Sequence, residues 1–198
     1  MKKFSENFKY TLQTLGRDFI IKYINRSYKG VIEMESVEIN PIDKKQEICS
    51  LLQKLNYQYK IYTSNSCKEY EYLEEGDICI TIPNSSCEYP IYIDLEDNGE
   101  FTLSYYKWHE HYSGEKRDYE RLCEDLEDIL KNNKCVVSIN SNRRWLGSRL
   151  AETKIKRDYD YKNDIKNLPK EFQNEIKQLK GNVELFYWDI KDNITIDI

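Results

Sequence analysis

Residues 57–63, 78–82, 90–95 and 100–106 form a succession of short segments rich in β-branched and aromatic side chains, each closed by a turn signal. Such a pattern disfavours a helical bundle and requires strands with short connections. An acidic, glycine-containing stretch at 69–77 separates the first two segments, and Glu96-Asp97-Asn98-Gly99 joins the last two. The Asn-Gly step is expected to supply the positive φ angles of a tight hairpin. The last strand is expected to continue through Tyr106 into Trp108-His109-Glu110-His111-Tyr112.

Helical signals surround this block. Phe4, Phe8, Leu12 and Leu15 repeat at helical spacing, the apolar run 19–24 extends that helix more naturally than it forms a strand, and 31–39 reads as a strand with one irregularity. Asp43 and Gln46 make a capping-box pattern ahead of Ile48, Leu51, Leu52 and Leu55, which predicts a second helix over 44–55. A third helix follows from the stripe Tyr119, Leu122, Cys123, Leu126, Ile129 and Leu130, with Asp118 as N-cap and Asn132-Asn133 as its stop. Strands are expected at 135–139 and 144–151 with a turn near Ser141-Asn142, then a charged loop at 154–166. Pro169, the stripe Phe172, Ile176 and Leu179, and Gly181 as terminator predict a further helix, and 183–189 with 194–198 a final hairpin. Together these imply one α+β domain over residues 1–198, a single largely antiparallel sheet with about four packed helices.

Composition restricts the partners. A net charge of −5 disfavours nucleic acid, whose phosphates call for a basic face, and suits a basic protein. No apolar run reaches the length of a membrane span, and the amino terminus turns polar at once, so a cytoplasmic protein is expected. The six cysteines include no Cys-x-x-Cys pair, so they read as reduced, mostly buried side chains and not as a zinc or redox motif. With 17 Tyr against 6 Phe and 3 Trp, many rings carry a hydroxyl that must reach water or a partner, which fits half-exposed sheets or a binding face.

The candidate chemistry lies in two tryptophan-centred segments. His109 and His111 are the only histidines, and strand alternation puts them on one face with Trp108, Glu110 and Tyr112 on the other. Two such ligands can hold half a metal site, but a third would have to come from Asp, Glu or Cys. Alternatively, one ring bonds a local carboxylate or carbonyl and the other is exposed. In the second segment Arg143, Arg144 and Arg149 flank Trp145, a cluster able to grip an anion or, more plainly, to pair with the acidic face of the third helix while Trp145 fills the core. No phosphate loop, nucleophile elbow or His-Glu-x-x-His helix is present, and no cofactor is implied.

The succession Glu100-Phe101-Thr102-Leu103, Trp108-His109-Glu110-His111-Tyr112, a helix from Tyr119 to Lys131, Cys135-Val136-Val137 and Arg144-Trp145-Leu146-Gly147-Ser148 resembles a group of small, mostly uncharacterised bacterial proteins, some of which look like immunity proteins of polymorphic toxin systems. The likeness covers about a quarter of the chain. It implies a cytosolic protein that binds a cognate toxin or another partner, and it implies no catalytic assignment. We read the chain as a cytoplasmic, non-enzymatic immunity-type inhibitor, with Trp108, His109, Glu110, His111 and Tyr112 in contact and Arg144 and Trp145 bracing them. The alternative is a metal-assisted hydrolase built on His109 and His111.

Overall fold

The computed structural model describes residues 38–141, 144–152 and 160–198. The expected helix carrying Phe4 to Leu15, the run 19–24 and nearly all of the strand at 31–39 lie outside the described residues, as do Asn142, Arg143 and the first part of the stretch 154–166.

A 3-10 turn, Pro41–Lys44, opens directly into helix α1, Lys45–Lys54. Its start is set by Asn40, whose Oδ1 accepts from the Ile42 amide at 2.9 Å, and by Pro41, whose missing N–H is no loss in a first turn. The expected Asp43–Gln46 box is therefore not what begins the helix. At the other end Asn56 takes a left-handed φ of 61°, and the amides of Asn56 and Tyr57 bond back to Gln53 and Leu52, closing the last turn.

Five strands follow: β1 Lys60–Tyr62, β2 Ile78–Ile82, β3 Ile91–Leu95, β4 Glu100–Tyr105 and β5 Trp108–Ser113. They pair in sequence order, all antiparallel. The β3–β4 turn uses one positive φ, at Gly99 (+96°), with the Gly99 amide on the Glu96 carbonyl, so glycine alone supplies the handedness and Asn98 does not. The segment 100–112 is not one strand. Tyr106 adopts φ +55° and, with Lys107, turns the chain so that β5 runs back along β4.

Helix α2, Lys116–Leu130, then crosses the sheet. It begins earlier than the sequence suggests, and Asp118 is not its N-cap; from the first turn its carboxylate accepts from the Ser113 amide and hydroxyl at 3.1 and 2.7 Å. The stop at Asn132-Asn133 is as expected: Asn132 takes φ +57°, and the two amides bond to Ile129 and Asp128.

The remaining strands build a second sheet, which corrects the expectation of one. After β6 (Lys134–Ser141) and β7 (Arg144–Glu152) come helices α3 (Tyr161–Asn167) and α4 (Lys170–Leu179), then β8 (Gly181–Phe186) and β9 (Ile194–Asp197). The order is β7-β6-β8-β9, antiparallel throughout. All of β6 after Lys134 is buried on both faces, so it needs neighbours on both edges and becomes the centre of its own sheet. Helix α3 replaces part of the expected charged loop: Asp160 caps it through the Lys162 amide, while Tyr161 and Ile165 pack inward. At the end of α4 it is Lys180, not Gly181, that takes the left-handed conformation. Gly181 serves another need, since a Cβ there would sit 2.4 Å from the Asn140 carbonyl oxygen.

One core lies between the first sheet and α1 and α2, built on Ile48, Leu52, Ile80, Ile93, Leu103, Leu122, Leu126 and Ile129. The other lies between the second sheet and α3 and α4, built on Val137, Val183, Leu185, Tyr187 and Ile176. The sheets meet where Tyr105 donates to the Tyr187 carbonyl at 2.7 Å, Ser148 donates to the Lys107 carbonyl at 2.6 Å, and Lys107 reaches Glu184 at 2.9 Å and Asn140 at 3.0 Å. All six cysteines are free thiols; Cys49, Cys79 and Cys135 are buried, but Cys67 is exposed.

Candidate functional site

Strand pairing orders the site. On the helix-covered face of the first sheet, Trp108 pairs with Tyr105, Glu110 with Leu103 and Tyr112 with Phe101. On the opposite face two rows cross the strands, Tyr62–Cys79–Asp94–Thr102–His111 and Lys60–Thr81–Tyr92–Ser104–His109. The expected division of the cluster between two faces is thus what the strand shows.

The far end of this second face is covered by the turn Lys68–Tyr70 and the residues after it. Tyr70 stacks on Tyr62 with centroids 4.0 Å apart and bonds Thr81 at 3.1 Å, while Tyr72 donates to the Asp94 carboxylate at 3.0 Å. Burial pushes Asp94 up to about 6, against the opposing hydrogen bonds from Cys79 and Tyr72, with Glu96 and Asp77 adding like charge. The near end carries the histidines. His111 Nδ1 is bonded to the Glu100 carboxylate and lies 3.1 Å from Thr102 Oγ1, which donates to Glu96. The His109 ring stands edge-on to it, centroids 5.2 Å apart, and burial followed by the neighbouring His111 holds its pKa below the usual imidazole range.

The predicted contact residues separate by burial. Trp108 (7% exposed) and Tyr112 (0%) belong to the core, and Tyr112 is fixed by a 2.7 Å bond to Asp125 with Arg121 over its ring. From these positions they support the strand, and Trp108 also lines the cleft between β5 and β7. Glu110, raised by burial against the opposing charge of Arg121, lies 3.6 Å from that guanidinium. Arg144 stacks over Phe172 and bridges Glu175 of α4 at 3.3 Å, and Arg149 pairs with Asp164 of α3, in place of the expected pairing with the acidic helix α2. Trp145 does not fill the core: it is 40% exposed. The acids of α2 are largely engaged, Asp125 and Asp128 with Lys134, and Glu127 with Lys131. Those two aspartates hold the Lys134 ammonium above its usual range although burial, the largest single influence, opposes them.

Where the edges of β5 and β7 approach, a cleft of about 590 Å³ opens, lined by Trp108, His109, Glu110, Trp145, Ser148 and Arg149 among others. It brings the two tryptophan segments together, as their common singling-out in the sequence suggests. What the sequence reading missed are Glu100 and Thr102 as partners of His111, and the Tyr72–Asp94 pair. The former become visible once a turn is placed at Tyr106-Lys107, because β5 then folds back with Thr102 opposite His111. No protein-family model, curated protein or solved structure matches this chain.

Proposed function

We propose that this chain is a cytoplasmic, non-enzymatic binding protein, an immunity-type inhibitor that occludes a cognate toxin with the cleft between β5 and β7. The observation that carries the reading is Trp145, a large aromatic left 40% exposed at the rim of a cleft that also presents His109, Glu110 and Arg149. Exposed indoles beside mixed charge are typical anchors of protein interfaces. Trp108, Tyr112 and Arg144 hold the cleft in shape; His109, Glu110, His111 and Trp145 make the contacts. No described helix is long and apolar enough to cross a membrane.

The alternative, a hydrolase using His109 and His111, needs a third protein ligand, and among the described residues no such group of three is assembled. The test is calorimetric titration with the product of a toxin gene adjoining this one, alongside an assay of that toxin's activity. Trp145→Ala should weaken capture by about 2 kcal/mol, roughly thirtyfold, without changing thermal stability. Unchanged affinity in Trp145→Ala and His109→Gln alike would remove the cleft from the interface.

A further inference from the structure

His109 and His111 stand on one face of β5 with ring centroids 5.2 Å apart and planes at 88°. We propose that the pair is a two-imidazole site for a divalent transition-metal ion of the Ni²⁺, Cu²⁺ or Zn²⁺ class. Two imidazoles on one ion, with metal–nitrogen bonds of about 2.1 Å, place their centroids roughly 4.5–5.5 Å apart, depending on the angle at the metal. The separation found here lies inside that window. The pleat sets the spacing, because alternate residues of a strand share a face, and pairing with β4 fixes the backbone beneath both rings.

The orientation of His111 is a second, independent observation. Its Nδ1 is bonded to the Glu100 carboxylate, with Thr102 Oγ1 at 3.1 Å. A carboxylate at Nδ1 holds the proton on that nitrogen and leaves Nε2 with its lone pair outward, which is how metal-bound histidines are commonly oriented from behind. Thr102 donates in turn to Glu96 at 3.1 Å, so the support extends one residue further. His109 makes no hydrogen bond among the described residues, which leaves its ring nitrogens open to an ion. No third His, Cys, Asp or Glu joins the pair among the described residues, so the other coordination positions fall to water or a small anion, and the affinity is that of a two-point chelate. The site shares His109 and His111 with the toxin-binding reading but does not rest on it.

Titration calorimetry of the full chain with Ni²⁺ tests the proposal, with circular dichroism verifying that each variant folds. One Ni²⁺ per chain is expected with Kd below about 100 μM; His109→Gln and His111→Gln should each abolish the stoichiometric event, and Glu100→Gln should weaken it about tenfold as a positioning residue. Wild-type affinity in both histidine variants, or no binding to the wild-type chain up to about 1 mM, overturns the site. The unmutated protein gives a second readout should a variant not fold. Paramagnetic Ni²⁺ should perturb first the amide resonances of β5, Thr102 and Ser104; perturbation centred on the exposed thiol of Cys67 overturns the proposal.

Discussion

Asp94 is the residue whose environment departs furthest from what its sequence context suggests. It alternates with buried isoleucines in β3, faces Cys79 across the strand pair, and accepts from Tyr72. Because burial lifts its folded-state pKa to about 6, from 3.8 in an unperturbed carboxyl, the folded chain keeps a proton that the unfolded chain releases. The stability this contributes is fully present below about pH 4 and is lost as pH rises through about 6, so the ionised carboxylate weighs against the fold at neutrality, on the order of 3 kcal/mol. Asp94→Asn, which can still accept from Tyr72, should remove this slope: urea midpoints of variant and wild type should draw together near pH 4 and separate in favour of the variant at pH 7.5. A parallel pH profile in both proteins would show that Asp94 is ordinarily solvated. None of this was legible in the sequence, because an aspartate in an alternating strand reads as solvent-facing until a separate segment, here residues 68–73, is known to cover it. Tyr106 was hidden for a related reason. A turn at Tyr-Lys carries no glycine, asparagine or proline, and the left-handed φ is held instead by stacking on Phe186 at 3.9 Å and a bond to Glu184. Tyr106→Phe should keep the stack and lose about 1 kcal/mol with the hydroxyl.

Among the elements, those with a strong local period were legible and those fixed by distant contacts were not. The α2 stripe is the clearest case: Leu122, Leu126 and Ile129 are wholly buried, while Glu124 is exposed. Leu126→Ala should therefore cost about 2–5 kcal/mol in chemical denaturation, and Glu124→Ala within about 0.5 kcal/mol; comparable small effects would contradict the packing. The α2 terminator was readable because Asn-Asn accommodates a left-handed turn by its own chemistry. Its beginning was not, since Asp118 satisfies donors at Ser113 that only the β5–α2 geometry brings near. The short helix α3 escaped because its apolar positions, Tyr161 and Ile165, are few within a strongly charged stretch, and its Asp164 is buried against Arg149 of β7, a pairing no local window contains. Gly181 was recognised as special for the wrong reason. Its constraint is the carbonyl of Asn140 across the β6–β8 pair, so Gly181→Ala should destabilise the second sheet by forcing those strands apart, a change visible in amide-exchange protection of β6 and β8.

At the scale of the whole molecule, the sequence conveyed antiparallel strands with interleaved helices but not their division, among the described residues, into two sheets. Nothing in β6 announces which neighbours it will take; that choice is made by burial on both faces and by partners in β8, more than forty residues away in the pairing of Val137 with Leu185. The division raises the question of whether the two sheets unfold together. Their cores are distinct, yet Val136 and Trp188 from the second half are members of the first core, with Leu150 and Phe186 packed against it. Tyr105, Lys107 and Ser148 add hydrogen bonds across the same seam, those of Tyr105 being buried. Apolar continuity of this kind makes exposure of one sheet costly to the other, so a single cooperative transition is expected. Leu103→Ala in the first core and Leu185→Ala in the second should each lower the one midpoint, seen identically by tryptophan fluorescence and far-ultraviolet circular dichroism, by the 2–5 kcal/mol typical of buried leucine truncation. Two resolved transitions, each moved by only one of the substitutions, would mean that the seam is too weak to couple the sheets. The cleft between β5 and β7 would then be a junction between independently folding halves, and its geometry would no longer be fixed by the cores on either side.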